Sequence, residues 1–284
     1  MTSQIRAPAT ATATARKYLS LLPPHFSRTT KTKQVEFAHE AQGTSYDLVS
    51  FSQPLQPLGT PDIGLNAFAV RNDDDSVALI GALAPTDEHM EQLRSLGELT
   101  DIVVNSSSPE HWLYAPALAD RFPEATLWVL PGFLDGSTGV PIPGRRWLFG
   151  NARRRGVVKE IGVDEGFPAC LTPVVFSVKF FAEAAIEIKP AKAIVLSDLA
   201  LKLDRDDYPD ANRFGLAEKA GIWGKVGAIT RVVLEENPIE ARRFVRSVSE
   251  LPYRHLLLSH ATAVVPDGRD ELEQAFSFLD SEEA

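Results

Sequence analysis

The chain has 284 residues, 44% of them hydrophobic, and its 29 basic and 38 acidic side chains give a net charge of −9. Its longest apolar runs are strand-sized, so the sequence predicts a soluble globular protein that does not span a membrane. The negative charge argues against a general nucleic-acid binder, because phosphate backbones attract basic surfaces. The single cysteine, Cys170, excludes an internal disulfide, so any metal ligands must be His, Asp or Glu.

Residues 1–35 form a basic segment that contains no acidic side chain. Its Arg, Lys, Thr and Ala content is typical of a mitochondrial or plastid transit segment. The repetitive run APATATATA suits a disordered basic tail equally well. The sequence therefore predicts a targeting or disordered segment over 1–35 and one domain over 36–284. The expected location is the cytoplasm, or an organelle if the segment is a transit peptide.

From about residue 46, β-rich runs alternate with helical ones, a pattern typical of α/β architecture. Strands are predicted at 46–51, 66–71, 76–83, 101–105, 126–130, 174–181, 184–188, 193–197 and 255–259. Helices are predicted at 86–98 with Thr86 as N-cap, directly after Ser108 as N-cap, at 237–251 and at 270–280. Residues 133–172, which are rich in Pro and Gly, are predicted to form loops.

Polar residues follow three of the predicted strands, at the ends where each strand stops. His111 comes shortly after the strand at 101–105, and Asp198 and His260 directly follow later strands. Because the carboxyl ends of strands gather at one edge of an α/β sheet, we expect these residues to converge. Imidazole and carboxylate groups suit zinc or iron, and three ligands leave a position open for water. Each residue also has a structural explanation, as part of a helix, a cap or a loop hydrogen bond.

One long stretch resembles an uncharacterised branch of the metallo-β-lactamase superfamily, found in bacteria, plants, algae and fungi: residues 82–132, ALAPTDEHMEQLRSLGELTDIVVNSSSPEHWLYAPALADRFPEATLWVLPG. Phe122-Pro123-Glu124-Ala125 and Pro131-Gly132 match its aromatic-Pro-x-Ala and Pro-Gly landmarks. The later segments IKPAKAIVLSDLALKLD and HLLLSHATAVV resemble its Ser-Asp-Leu strand end and its closing strand with histidine. The resemblance covers residues 46 to 280 and implies a four-layer αββα sandwich.

The usual metal motif of that superfamily is His-x-His-x-Asp-His, and this chain resembles only its end. With His111 in the last position, Ser106 and Ser108 stand in place of the first two histidines and Glu110 in place of the aspartate. No histidine occurs between residues 112 and 254 to supply the usual middle ligand. The resemblance therefore implies that Glu110, His111, Asp198 and His260 keep the second metal position, with Asp198 as the former bridge. It also implies that the first position is lost.

Three other features have plain interpretations. Arg145, Arg146, Arg153, Arg154 and Arg155 surround Trp147 and can hold a phosphate or carboxylate, but a solvated loop that packs Trp147 inward is favoured. The glycines at 221, 224 and 227 fit no nucleotide-binding spacing and are interpreted as turns or close helix contacts. Cys170 has no local histidine and is predicted to be a small buried residue.

Together these observations predict a metallo-β-lactamase-fold protein with a degraded two-metal site. Its centre is at most mononuclear and hydrolase-like, holding one zinc, iron or manganese ion. The alternative is a non-catalytic binding or assembly protein that reuses the fold without metal, and the serines at 106 and 108 motivate it. A third hypothesis is small-ligand binding in the former active-site cleft.

Overall fold

The computed structural model describes residues 31–34, 47–55, 62–72, 74–139, 142, 145–202 and 226–280. Most of the basic segment predicted over residues 1–35 lies outside the described residues. Its described part, Lys31–Gln34, is a strand that pairs antiparallel with the next one, so the sheet includes four residues of that segment.

Seven strands form the first sheet within the described residues, and they lie in sequence order: β1 (Lys31–Gln34), β2 (Leu48–Gln53), β3 (Leu65–Arg71), β4 (Ser76–Ile80), β5 (Glu98–Val103), β6 (Thr126–Val129) and β7 (Val158–Glu160). The pairs from β1 to β4 are antiparallel, and those from β4 to β7 are parallel. Its central strands are continuous apolar runs, as expected for strands buried on both faces.

The second sheet has five strands among the described residues, in the order β12-β11-β10-β9-β8: β8 (Leu171–Val178), β9 (Phe181–Ile188), β10 (Ala193–Leu196), β11 (His255–Leu258) and β12 (Val264–Val265). Only β10 and β11 pair in parallel. The strand predicted at 174–181 is wrong in one respect, because a tight turn at Lys179 and Phe180 divides it between β8 and β9.

The described helices are α1 (Asp87–Leu96), α2 (Pro109–Trp112), α3 (Ala115–Arg121), α4 (Arg145–Leu148), α5 (Gly150–Arg155), α6 (Ala228–Glu236), α7 (Pro238–Ser249) and α8 (Arg269–Phe276), followed by a 3-10 turn, Ser277–Leu279. The Thr86 cap of α1 is confirmed, since its hydroxyl accepts from the N–H of His89. The loop predicted over 133–172 is wrong in part, because α4, α5 and β7 lie there. None of the described helices has the length and apolarity needed to cross a bilayer.

Two hydrophobic clusters define the layers. The first cluster contains residues of strands β2 through β6, of helices α1 and α3, and of the inner face of the second sheet. The second cluster contains residues of the outer face of that sheet and of helices α7 and α8. Strand β10 shows the division, because Ala193 and Val195 enter the first cluster while Ile194 and Leu196 enter the second. Helices therefore cover the outer faces of two stacked sheets. This is the four-layer αββα sandwich that the sequence predicts.

Candidate metal centre

Two of the predicted site residues follow neighbouring parallel strands at the same level. Strands β10 and β11 pair with Leu196 opposite Leu258, so Asp198 and His260 each lie two residues beyond the same point. Because the carboxyl ends of parallel strands meet at one sheet edge, the two side chains come together there. The convergence expected for this pair is confirmed.

His111 reaches the same edge from the other sheet. Beyond β5 the chain continues alongside β9, where the N–H of Ala184 donates to the carbonyl of Asn105 over 2.7 Å. The N–H of Ser107 donates to the carbonyl of Ala182 over 2.9 Å. These bonds tie the end of β5 to the second sheet and bring α2, which carries His111, to the site.

Packing holds α2 in place, because a helix of four residues has little stability of its own. Trp112 is almost fully buried and packs against the rings of Phe133 and Phe149. Its indole N–H donates to the carbonyl of Ser107 over 3.0 Å. The buried tryptophan thus fixes the helix on which its neighbour His111 lies.

Four side chains form a compact group at this edge. Glu110, His111, Asp198 and His260 each offer a ligand atom, and these atoms all lie within 4.8 Å of one another. The Nε2 atoms of the two histidines are 3.1 Å apart, and each lies 3.3 Å from Oδ1 of Asp198. The two imidazoles are buried, whereas the two acidic residues are partly exposed. The structure therefore brings together all four residues singled out from the sequence.

The orientation of His260 is set by its other ring nitrogen. Nδ1 lies 3.0 Å from the carbonyl oxygen of Gly64. A carbonyl only accepts, so Nδ1 carries a proton, and in the neutral ring that a metal requires the lone pair is on Nε2. Asn66 braces the same turn by donating from Nδ2 to the carbonyl of Leu258 over 3.0 Å. This is the tautomer in which Nε2 can bind a metal.

The two oxygens of Asp198 have different partners. Oδ1 faces both imidazoles, while Oδ2 accepts a 2.8 Å hydrogen bond from the hydroxyl of Ser106. Burial alone would raise the pKa of Asp198, but the charges and hydrogen bonds of His111 and His260 outweigh it and hold that pKa well below its ordinary value. Asp198 is therefore a carboxylate whose second oxygen is already engaged.

The same charges act on His260. Burial lowers its pKa, but the hydrogen bond to Asp198, the charges of Asp198 and Glu110, and the Gly64 carbonyl together raise it above the ordinary value. Without a metal, the neighbouring carboxylates therefore favour the protonated form of His260.

Ser106 and Ser108, the predicted lost-ligand positions, lie in this region but act as hydrogen-bonding residues. Besides donating to Asp198, the Ser106 hydroxyl accepts from the N–H of Ser108 over 3.2 Å. Ser108 is the N-cap residue of α2, as predicted, but its side chain makes no capping hydrogen bond.

A buried polar row behind the group was not predicted from the sequence. Asn105, Ser197 and Ser259 each directly precede a residue at the site, and all three are at most 1% exposed. Asn105 Nδ2 donates to Ser197 Oγ over 2.9 Å, and Ser197 Oγ lies 3.1 Å from Ser259 Oγ. The sequence signal is a polar residue at the end of each of three apolar strands.

Glu183 is the second feature that the sequence analysis missed. It lies on β9, is fully buried, and accepts from three consecutive backbone N–H groups. Oε1 accepts from Ser197 over 2.7 Å, and Oε2 accepts from Asp198 over 2.7 Å and Leu199 over 3.1 Å. Burial raises the pKa of Glu183, the charge of Asp198 raises it further, and the three N–H donors lower it. Its signal is an acidic residue directly before the strand run AAIEI, between Ala182 and Ala184.

The arginine cluster divides into two environments. Arg153, Arg154 and Arg155 are exposed, as predicted. Arg145 is 3% exposed, donates to the carbonyl of Thr138 over 3.0 Å and stacks over a phenylalanine ring, so a solvated position for it is wrong. Trp147 is 66% exposed, which corrects the expectation that it packs inward. The buried anchor of this region is therefore an arginine, because its guanidinium finds a carbonyl and an aromatic face.

Among the described residues, Gly227 and Cys170 are not members of the four-residue group. Gly227 is the N-cap residue of α6, while the glycines at 221 and 224 lie outside the described residues. Cys170 is half-buried rather than fully buried, and burial raises the pKa of its thiol to about 11. A thiol with a raised pKa is a poor nucleophile at neutral pH.

Solved structures with the same architecture come from two groups of proteins. The fragment 1–254 of diflavin flavoprotein A 5 from Nostoc sp. PCC 7120 is 12% identical, with a TM-score of 0.56 over 89% of this chain and 96% of that chain. DIM-1 metallo-β-lactamase is 10% identical, with a TM-score of 0.54 over 88% and 97%. The Flv1 flavodiiron core from Synechocystis sp. PCC6803 is 11% identical, with a TM-score of 0.53 over 89% and 62%. These similarities show a shared fold.

The αββα sandwich and these similarities show that the chain has the metallo-β-lactamase fold. The family model described as a domain of unknown function, DUF4336, matches residues 51–219. The chain belongs to this DUF4336 family. No curated protein matches the sequence.

Proposed function

We propose that the protein binds one transition-metal ion, zinc, iron or manganese, through Glu110, His111, Asp198 and His260. It is then a metallo-β-lactamase-fold protein with a degraded two-metal site, at most a mononuclear hydrolase-like centre. The observation that carries the proposal is the mutual distance of the ligand atoms: 3.1 Å between the two Nε2 atoms and 3.3 Å from each to Asp198 Oδ1.

Those distances fit the spacing that a metal requires. Tetrahedral ligands at about 2.0–2.1 Å from zinc are roughly 3.3 Å from one another. The bond from Nδ1 of His260 to Gly64 supports the fit, because it leaves Nε2 as the ligand atom. Glu110 lies close enough to complete the set. Two of the structural relatives are by name a metallo-β-lactamase and a flavodiiron protein, which is consistent with a metal site in this fold.

The environment of Asp198 supports one ion rather than two. A carboxylate that bridges two metals through both oxygens needs each of them free, but Oδ2 of Asp198 accepts from the Ser106 hydroxyl. Serines stand at 106 and 108, and neutral hydroxyls are poor replacements for imidazole ligands. The second position is therefore the one with a complete donor set.

A single ion at this position would supply Lewis acidity and lower the pKa of water. The protein's own residues would hold it: two neutral imidazoles, and two carboxylates that balance its charge. His260 is oriented by Gly64, and Asp198 by Ser106. Three of these four ligands would leave one position of a tetrahedral site open for solvent, as catalytic sites require.

The second candidate is a non-catalytic binding or assembly protein. It is favoured by a continuous chain of hydrogen bonds, which runs from Ser106 through Asp198 and the two histidines to Gly64. The buried polar atoms in this chain of hydrogen bonds already have protein partners, so a structural role needs no metal.

The test is titration of the metal-free protein with Zn²⁺, Fe²⁺ and Mn²⁺, followed by elemental analysis. Wild type should retain about one ion per chain, and His260→Ala should retain almost none, since it removes one ligand of a small set. His255→Ala is the matched control, because it removes a histidine from the opposite end of β11. Equal metal retention by wild type and His260→Ala would contradict the proposed site.

The two candidates are separated by turnover of p-nitrophenyl ester and phosphodiester substrates. Metal-dependent hydrolysis that His260→Ala abolishes supports a mononuclear hydrolase. Stoichiometric metal without hydrolysis supports a binding role.

A further inference from the structure

We infer that Glu183 is the positioning residue for Asp198, and through it for the whole group of proposed ligands. Its buried carboxylate binds the three backbone N–H groups around Asp198. The inference rests on the proposed function where it concerns metal affinity, and on the hydrogen bonds alone where it concerns the position of Asp198.

The first step is that the backbone around Asp198 has lost its sheet partners. Strand β10 ends at Leu196, so the N–H groups of residues 197–199 lie beyond its ladder. All three converge on Glu183, at 2.7, 2.7 and 3.1 Å. Buried N–H groups require acceptors, and one carboxylate has lone pairs for all three. The turn that follows β10 is thus shaped by a side chain from β9.

The second step is that these bonds fix the direction of the Asp198 side chain. Glu183 holds the N–H on each side of the Asp198 Cα atom, which restricts both backbone torsions of that residue. The side chain then projects toward His111 and His260, with Oδ1 3.3 Å from each Nε2. A turn whose N–H groups bonded to water instead would have no such fixed direction.

The third step is that the same residue reaches the other wall of the site. The backbone of Glu183 forms an antiparallel bridge with Ser106, whose hydroxyl holds Oδ2 of Asp198. Its neighbours bind the end of β5, since the N–H of Ala184 donates to Asn105 and the N–H of Ala182 donates to the hydroxyl of Ser107. One residue of β9 therefore positions Asp198 from its backbone side and, through Ser106, from its carboxylate side.

The fourth step is that a carboxylate is needed at position 183. Keeping Glu183 buried beside the negative charge of Asp198 is unfavourable, so a role that needs only volume would be better filled by an apolar residue. An amide at this position would direct its NH₂ group at backbone N–H donors whichever way it was turned. The three N–H contacts, rather than packing, explain why an acidic residue is present at position 183.

The test compares Glu183→Gln with Glu187→Gln. Glu187 lies four residues along β9 on the same face and is also buried, so it receives the same chemical change away from the site. Each folded variant is titrated with Co²⁺, whose visible bands report coordination geometry. Residues that orient metal ligands change affinity by about 10–100-fold. We expect a loss of that size and altered bands for Glu183→Gln, and wild-type behaviour for Glu187→Gln.

A second readout does not depend on metal. In the metal-free proteins, the imidazole ¹⁵N shifts of His111 and His260 report their contact with Asp198, and they should change in Glu183→Gln but not in Glu187→Gln. If wild type binds no Co²⁺, the proposed metal site fails while the shifts still decide the positioning role. Wild-type affinity and wild-type shifts in folded Glu183→Gln would overturn the inference. Glu183→Asp, which keeps the charge and shortens the reach, replaces it if the amide variant does not fold.

Discussion

Two groups of side chains lie at one edge of this sandwich, where the proposed function has one metal position and one lost position, and their chemistry differs. In the first group, imidazole and carboxylate atoms approach within 3.1 to 3.3 Å of each other. In the second, the Ser106 hydroxyl donates to Asp198 and accepts from the N–H of Ser108. The segment after β5 contributes to both groups, since it contains Ser106, Ser108 and His111.

Under the proposed function, the difference means that a fold can keep the geometry of one metal position while the ligands of the other are lost. Replacing imidazoles by hydroxyls turns ligand positions into hydrogen-bond donors, and one such donor engages the oxygen that a bridging aspartate would offer to a second ion. A site with ligands for only one ion, called the half-site below, is consistent with mononuclear binding and is inconsistent with a two-metal mechanism.

The largest expected effect is the dependence of stability on metal at the half-site. At a free zinc concentration 1,000 times Kd, binding adds about 4.1 kcal/mol to the free energy of unfolding. For a chain of this size that is roughly 8–16 °C in Tm. Adding a chelator should lower the Tm of wild type by that amount and leave Asp198→Ala unchanged, as measured by scanning calorimetry. If the Tm of wild type does not respond to zinc, the four proposed ligands do not bind the metal, and the proposed difference between the two positions is contradicted.

The next effect concerns the donor that occupies the lost position. Ser106→Ala removes a buried hydrogen bond to an ionised carboxylate, worth about 1.5–3 kcal/mol. Chemical denaturation of the metal-free protein should show a loss in that range. The number of ions bound per chain should stay at one, because the other ligands are untouched. If this variant binds a second ion, the Ser106 hydroxyl, and not the absence of imidazoles, limits the number of ions bound per chain.

A third buried imidazole sharpens the comparison further. His89 packs against Phe51, and its Nδ1 lies 3.2 Å from the carbonyl oxygen of Ala84. Burial lowers the pKa of His89, whereas Asp198 raises that of His260. Since the folded pKa of His89 lies below its ordinary 6.5, the unfolded chain takes up the proton first as pH falls. Stability is therefore lost below about pH 6.5, by at most about 1.4 kcal/mol per pH unit. Unfolding measured from pH 7.5 to 5.5 should fall less steeply for His89→Leu, and parallel curves would contradict this.

The smallest effect is expected at the exposed arginines of α5. Replacing Arg153, Arg154 and Arg155 with Gln should change the free energy of unfolding by less than about 1 kcal/mol, because exposed ion pairs contribute little. Arg145→Gln is the matched control and should cost more, since that guanidinium is buried against Phe133 and a carbonyl. Equal losses from the two variants would mean that the exposed arginines form a structural network.

Much of the fold was predictable because its causes are local. The apolar runs of β10 and β11 specify strands, and the serine after each run, Ser197 or Ser259, marks its end. His111, Asp198 and His260 were recognised on that basis. Glu183 was not, because its partners lie 14 to 16 residues away and leave no period in the sequence. Helices α4 and α5 were missed because four- and six-residue segments are too short to show a helical repeat.

The most direct test of the central claim is a crystal structure of the metal-loaded protein with anomalous scattering recorded at the metal edge. One peak should lie about 2.0–2.2 Å from Nε2 of His111, Nε2 of His260 and Oδ1 of Asp198, with none beside Ser106 and Ser108. Two peaks at this edge, or a single peak away from these three atoms, would contradict a degraded, mononuclear site.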